Sequence, residues 1–313
     1  MTCYRPLVAW QSKERNPNTG KSMVVFSPPG NIGDYTMINV ACGQCIGCRL
    51  AYSSMWAMRC FHESKLHDHN TFVTLTYNDA NVPWSGITGE QTLFPKHLTD
   101  FWKRLRKRFS DRKIRYFACG EYGDETYRPY YHAIIFGLDF DDKQLLKRSD
   151  LGFNYYISNT LDQTWSFGQC TCCDVSFDTC AYVARYVVKK LSGDLAKDKY
   201  EGIEKEFCRM SRKPGIGKDY YEQYHHDWYA YDHLCISDQG RIRHLKPCRY
   251  YDNLFDLTNH EDLELIKAKR VDAAMSKMEE NVVIGRLDDR EEFLKERTKS
   301  LKRSNVDVNL CCV

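Results

Sequence analysis

The stretch Arg128-Pro129-Tyr130-Tyr131-His132-Ala133-Ile134-Ile135-Phe136-Gly137 constrains this chain more than any other. From Tyr130 to Phe136 it is uncharged, aromatic and β-branched, and it reads as a strand. Side chains alternate along a strand, so Tyr130, His132, Ile134 and Phe136 share a face. Ile114 to Glu121 reads as a second strand, with Glu121 on the face of Cys119 and Phe117. If the two strands pair, Glu121 and His132 meet across the ladder. A carboxylate with an imidazole suits Mg²⁺ or Mn²⁺, and Mn²⁺ accepts the nitrogen more readily. Such an ion polarises a phosphate oxygen. The plain alternative is a core histidine and a surface glutamate.

Other elements are also legible. Thr71 to Tyr77 reads as a buried strand, Asn154 to Ser158 as an edge strand and Gly168 to Val175 as a further strand. A helix is predicted from about Arg49 to His62. Pro95 opens another, with Leu98, Phe101, Trp102, Leu105 and Phe109 at helical spacing. Its other face carries Lys103, Arg104, Arg106, Lys107 and Arg108. That stripe can track a phosphate backbone or stand as a solvated face. Ser176 or Asp178 caps a helix running to about Leu191. Residues 1–40 look irregular around Pro28-Pro29-Gly30. Residues 200–252 show no clear period, and residues 255–303 are strongly charged and partly helical. Thr19-Gly20-Lys21-Ser22 is like the end of a phosphate-binding loop. That motif needs a glycine five residues before Gly20, and position 15 is Arg, so no nucleotide site is expected.

The helix after Ser176 carries Tyr182-Val183-Ala184-Arg185-Tyr186-Val187-Val188-Lys189-Lys190. Tyr182 and Tyr186 share one face. Each is a candidate nucleophile, although a phenol with a pKa near about 10 needs activation at neutral pH. Lys189 or Lys190 would lower that pKa or neutralise developing charge. A phosphotyrosine link conserves the energy of a broken phosphodiester, so a strand can be rejoined without ATP. Taken alone, the same stripe is also an ordinary core face.

The net charge is only +3, so basic residues matter by clustering rather than by total. No run reaches the roughly 18 apolar residues of a membrane span. The 15 cysteines are an odd number and no apolar leader precedes them, which argues against a secreted disulfide scaffold. A soluble chain with reduced thiols is expected. Cys42, Cys45 and Cys48 are candidate ligands of a structural zinc, with Cys3 or part of the Cys170, Cys172, Cys173 group completing the four. Iron–sulfur ligation and buried free thiols are the alternatives.

The strand Thr71–Tyr77, then Glu121, then the Arg128–Gly137 run, then Tyr182-x-x-x-Tyr186 together resemble the motifs of HUH-family rolling-circle replication initiators, nearest to those of gokushovirus-type microviruses. The likeness extends to Cys3-Tyr4-Arg5-Pro6, Cys42-Gly43-x-Cys45-x-x-Cys48-Arg49, Trp165-x-x-Gly168, Met210 to Gly217 and Arg249-Tyr250-Tyr251-Asp252. It implies an α+β fold: a central antiparallel β-sheet flanked by helices (HUH endonuclease, RRM-like), followed by a charged, partly helical C-terminal region. The expected division is a nuclease domain over 1–195, with a Cys-rich N-terminal segment, and an extension over 196–313, family-like to about 255. The resemblance implies metal-dependent nicking of a phage origin through a 5′-phosphotyrosine intermediate, and rejoining of the strand. By matching motif, His132 and Glu121 are metal ligands and Tyr182 and Tyr186 the nucleophiles. Expected DNA contacts are Arg128 and the basic stripe. The implied partners are single-stranded and replicative-form phage DNA with the host helicase and polymerase, in the host bacterial cytoplasm and without a membrane.

Tyr130 stands where the motif has its first histidine, and a neutral phenol is not a usual ligand of Mg²⁺ or Mn²⁺. The site then works weakly on His132, Glu121 and water, or another histidine substitutes, or the protein binds its origin without cutting. A plasmid-type initiator or relaxase is the neighbouring alternative, and the paired tyrosines favour the phage type.

Overall fold

The computed structural model describes residues 3–17, 21–123, 125–149, 152–189, 200–278 and 286–299 of the 313. Residues 7–40 are not irregular. They form a three-stranded antiparallel sheet of β1 (Leu7–Arg15), β2 (Ser22–Val25) and β3 (Tyr35–Val40) in the order β2-β1-β3. The sheet escapes a sequence reading because it is mostly solvated. Within β1 only Ala9 is buried, so no apolar alternation is written into it. Lys21 leads into the strand β2 rather than a helix, unlike a phosphate-binding loop.

Helix α1 (Ile46–Ser64) follows, then a seven-stranded antiparallel sheet. Its strands are β4 (Asn70–Leu75), β5 (Arg115–Tyr122), β6 (Pro129–Phe136), β7 (Gln144–Arg148), β8 (Asn154–Ile157), β9 (Cys170–Asp174) and β10 (Phe207–Met210). Their order is β10-β5-β6-β4-β9-β8-β7. Every residue of β6 is buried, as a strand covered on both faces requires. The Asn154–Ser158 strand is internal rather than an edge, because β7 pairs outside it. The true edge β7 is exposed and carries Lys147 and Arg148, which discourages pairing with another chain.

The two faces of the sheet have different covers. Helix α2 (Pro95–Arg108) sets Leu98, Phe101, Trp102 and Leu105 against Val73, Leu75, Tyr131, Ala133 and Ile135. Helix α3 (Asn159–Trp165) adds Trp165 to that core. Trp165 Nε1 donates to the Thr76 carbonyl at 2.6 Å, and Gly168 passes so close that a Cβ there would meet Thr76 O at 2.5 Å. This close approach explains the Trp165-x-x-Gly168 spacing. On the other face α1 brings Trp56 to 4.8 Å from Phe117, and α4 (Phe177–Lys189) lies over β5 and β6.

Residues 200–252, without a readable period, contain β10, α5 (Lys218–Tyr231) and the hairpin β11 (Leu234–Asp238) with β12 (Arg241–Leu245). The Met210–Gly217 segment is anchored by buried charge. Arg115 donates to Glu63 Oε1 and to the Pro214 carbonyl, Arg59 to the Ile216 carbonyl, and the Gly217 amide to Glu63 Oε2. The charged tail forms α6 (Arg249–Phe255), α7 (His260–Met278) and α8 (Arg286–Lys299).

The chain divides into two compact units, with the boundary inside α1. One is Tyr52–Leu245, which holds the large sheet. The other joins Met1–Ala51 to Lys246–Ser300. In that second unit Arg15 meets His260 Nδ1 at 2.9 Å, and Arg5 pairs with Glu291 at 3.2 Å. No helix among the described residues is long and apolar enough to cross a membrane.

Candidate active site

Pairing register builds the site. Thr74 on β4, His132 on β6 and Cys119 on β5 stand in one row across three adjacent strands. Their side chains share the face under α4. Glu121 lies two residues beyond Cys119, directly opposite Tyr130 and diagonal to His132. The diagonal still brings Glu121 Oε1 within 3.8 Å of His132 Nε2. Both side chains are almost wholly buried, at 2% and 1% exposure. The other ring nitrogen, Nδ1, is 2.9 Å from Thr74 Oγ1. Phe72 stacks on the imidazole at 5.3 Å between ring centroids.

Tyr182 on α4 reaches down onto this pair. Its hydroxyl is 3.5 Å from His132 Nε2, and its ring stands edge-on to the imidazole. The Arg185 guanidinium lies 5.7 Å from the centre of the Tyr182 ring. Glu121, Tyr130, His132 and Tyr182 therefore converge. The side chains of Tyr186 and Lys189, and all of Lys190, lie outside the described residues.

Tyr130 takes a definite place. Its hydroxyl donates to Glu121 Oε2 at 3.2 Å. Burial first, then the Glu121 charge and nearby Tyr182, push its phenol far above the ordinary range. It stays protonated and acts as a donor to the carboxylate rather than as an anionic ligand. Cys119 also turns toward Glu121 Oε1, at 3.6 Å. Burial and then the Glu121 charge hold its thiol well above the usual value, so it is a weak donor too.

The basic stripe is not brought to this cluster. It lies on α2, across the sheet from Tyr182. Arg104 is half-buried and spends its guanidinium on the Thr164 and Trp165 carbonyls at 2.7 and 2.9 Å, closing the end of α3. Arg106 donates to the Ile114 carbonyl, Arg108 to Gln163, and Lys103 lies 3.6 Å from Asp100. Lys107 is exposed. Arg128 is held by the Tyr77 carbonyl at 2.8 Å and Asp79 at 2.7 Å. It lines an open cavity of about 690 Å³ with Asn78, Asp162 and Gln169. Sequence reasoning missed Thr74 and Arg185. Thr74 carries no signal without the β4–β6 register, whereas Arg185 is legible as the i+3 neighbour of Tyr182.

Residues 70–191, from β4 through α4, match the family model for replication-associated proteins of the ORF2 type. The chain is 33% identical over 285 residues to replication-associated protein ORF2 of Spiroplasma virus 4, covering 86% of each chain. The chain belongs to the phage replication-associated protein family. A second such protein, VP4 of Bdellovibrio phage phiMH2K, is 31% identical over 266 residues, 84% of this chain and 79% of its own. The replication-associated protein ORF4 of Chlamydia phage 1 is 28% identical over 234 residues, 71% of this chain and 55% of its own. No solved structure matches significantly. The segment shared with the family model contains Thr74, Glu121, Tyr130, His132, Tyr182 and Tyr186, and it excludes the tail and Cys3 to Cys48.

Proposed function

We propose that this replication-associated protein starts rolling-circle replication of a phage genome by nicking one DNA strand at its origin. The observation that carries the reading is the Tyr182 hydroxyl poised 3.5 Å from His132 Nε2, beside Glu121. In the step proposed, Tyr182 Oη attacks the scissile phosphorus. The Oη–P bond forms, the P–O3′ bond breaks, the phenol proton leaves and the 3′ oxygen gains a proton. The DNA 5′ end stays on tyrosine and the free 3′ end primes synthesis by host enzymes. Attack by a 3′ hydroxyl on the phosphotyrosine reverses the chemistry and rejoins the strand. Tyr186, one turn further along α4, is the second nucleophile, which lets one tyrosine hold an end while the other cuts.

The donor set fits Mg²⁺ or Mn²⁺. Glu121 and His132 are the residues that would hold it, one oxygen and one nitrogen with no thiolate between them. Such ions keep several waters and use one or two carboxylates plus phosphate oxygens, so a third protein ligand is not obligatory. When bound, the ion would polarise the scissile phosphate and favour loss of the 3′ oxygen. Thr74 orients His132: with the ring proton on Nδ1 donated to Oγ1, Nε2 keeps its lone pair toward Glu121 and Tyr182. Tyr130 draws charge from Glu121 through its hydroxyl. Arg185 offers a guanidinium to the phosphate, with Lys189 and Lys190 as further cations. Lys103 and Lys107 would contact the duplex on the other face, in the host cytoplasm where replication occurs.

The hydrogen bond from Tyr130 to Glu121 favours a second reading, an origin-binding protein whose metal site is impaired. One assay separates them. The protein is mixed with origin single-stranded DNA and Mn²⁺, then resolved on a denaturing gel beside Tyr182→Phe, the Tyr182→Phe/Tyr186→Phe pair and Tyr130→His. A DNA-linked band lost in the double variant supports the nicking reading. A band in Tyr130→His alone supports the impaired site. No band in either, with DNA binding retained, rules out phosphotyrosine chemistry.

A further inference from the structure

We propose that Cys3, Cys42, Cys45 and Cys48 bind one zinc ion as a four-thiolate structural site. The four Sγ atoms all lie within 4.8 Å of one another. A tetrahedral zinc with Zn–S bonds of about 2.3 Å sets its sulfurs about 3.8 Å apart. Cys42 and Cys48 sulfurs are 3.9 Å apart, and those of Cys3 and Cys45 4.0 Å. A disulfide would need about 2.05 Å, so these are not bonded pairs. An iron–sulfur cluster interposes several irons and bridging sulfides, and needs a wider cage than this.

The backbone is arranged around the sulfurs as charged groups. Amides of Tyr4 and Cys48 donate to Cys45 Sγ at 3.4 and 3.5 Å. Those of Gln44 and Cys45 donate to Cys42 Sγ at 3.4 and 3.3 Å, and that of Cys42 to Cys3 Sγ at 3.3 Å. Thiols packed as apolar groups do not gather amide donors in this way, whereas thiolates do. Gly43 makes the turn between the first two ligands of the run, at φ 75° in the left-handed region where a Cβ is disfavoured. Cys48 then projects from the first turn of α1. Cys3 comes from far along the chain to complete the set. The Cys170, Cys172 and Cys173 group contributes nothing: it is buried in β9, with Cys170 and Cys172 packed into the α2-side core. Each thiol would release its proton to solvent as its sulfur takes up zinc. The ion would staple the start of the chain to the α1 entry, in the unit that holds the small sheet.

The test uses the full chain, purified under reducing conditions with zinc supplied, and elemental analysis by plasma mass spectrometry. About one zinc per chain is expected, and replacement by Co²⁺ should give a thiolate-to-metal charge-transfer band with intense tetrahedral ligand-field bands. Cys3→Ser and Cys48→Ser should each lower retained zinc roughly tenfold or more after dialysis against a chelator. Cys235→Ser should not, although Cys235 lies with His233 and His244 in an exposed group of metal-binding type. The cobalt spectrum needs no variant, so a misfolded substitution cannot hide the answer. Zinc far below stoichiometry, stoichiometric iron in its place, a cobalt spectrum without thiolate bands, or zinc kept by both variants and lost by Cys235→Ser would each overturn the proposal.

Discussion

Acid should loosen this protein through a single histidine well before its carboxylates titrate. His62 lies in α1 at 2% exposure, stacked on Tyr220 at 4.4 Å and Trp228 at 5.2 Å. Burial holds its imidazole down to a pKa of about 3. In the unfolded chain the same ring titrates near about 6.5. Between those values the unfolded state binds the proton and the folded state does not, so stability falls as pH falls. The full gap of about 3.5 units, at 1.36 kcal/mol per unit, is of order 5 kcal/mol by about pH 3. At about pH 5 the loss is about 2 kcal/mol, and near pH 7.5 it is close to zero. The perturbation is His62→Phe, which keeps a ring between Tyr220 and Trp228 and removes the titration. Urea unfolding would be followed by fluorescence at both pH values, in both proteins. Any constant offset from the exchange cancels in the pH difference. The wild type should lose about 2 kcal/mol more than the variant between the two conditions. Equal losses would mean that the native state already accommodates the charged ring, and the desolvation argument would fail.

The other expectations concern the sheet and its anchors. Thr74→Val should leave melting nearly unchanged but reduce Mn²⁺-dependent adduct formation roughly 10–100-fold, because it takes from His132 Nδ1 the hydroxyl that faces it across the β4–β6 row; an unaltered Mn²⁺ titration would sink the orienting role. Glu63→Ala should destabilise by about 3–5 kcal/mol in denaturant unfolding, since Arg115 is left buried without its carboxylate. Burial works to raise the Glu63 pKa, but hydrogen bonds from His67 and the Gly217 amide, with Arg115, outweigh it and lower the value. Its contribution is therefore present at neutral pH and is lost only as pH falls below the usual carboxylate range of about 4; a loss beginning near neutrality would contradict this.

What sequence discloses here depends on how much of each element is buried. The strand around His132 is legible because both faces are covered and it reads as an unbroken apolar run. The α2 stripe of Leu98, Phe101, Trp102 and Leu105 is legible for the same reason at helical period. The small N-terminal sheet is not, because its strands bury almost nothing in alternation. Neither is the fate of Arg104, whose type and position suit a phosphate contact but whose guanidinium goes to carbonyls of α3 some 60 residues on. Within the candidate site, Glu121 and His132 could be named from the alternation of two strands. That Glu121 faces Tyr130 directly, and that Thr74 holds His132, required the register. Cys3 stands among the expected ligands, but its place among four needed a long-range contact that no local spacing encodes.

The order in which the site's parts leave the ribosome has its own consequence. Thr74, Glu121 and His132 sit on β4, β5 and β6, strands that are neighbours in the sheet and close in the chain. Tyr182 follows His132 by 50 residues. At roughly 5–20 residues per second, that is about 3–10 s of synthesis. A nascent chain thus acquires its carboxylate and imidazole before any phenol can reach them from α4. A chain that stops in this interval carries the grip without the blade: it would compete for DNA and never become attached to it.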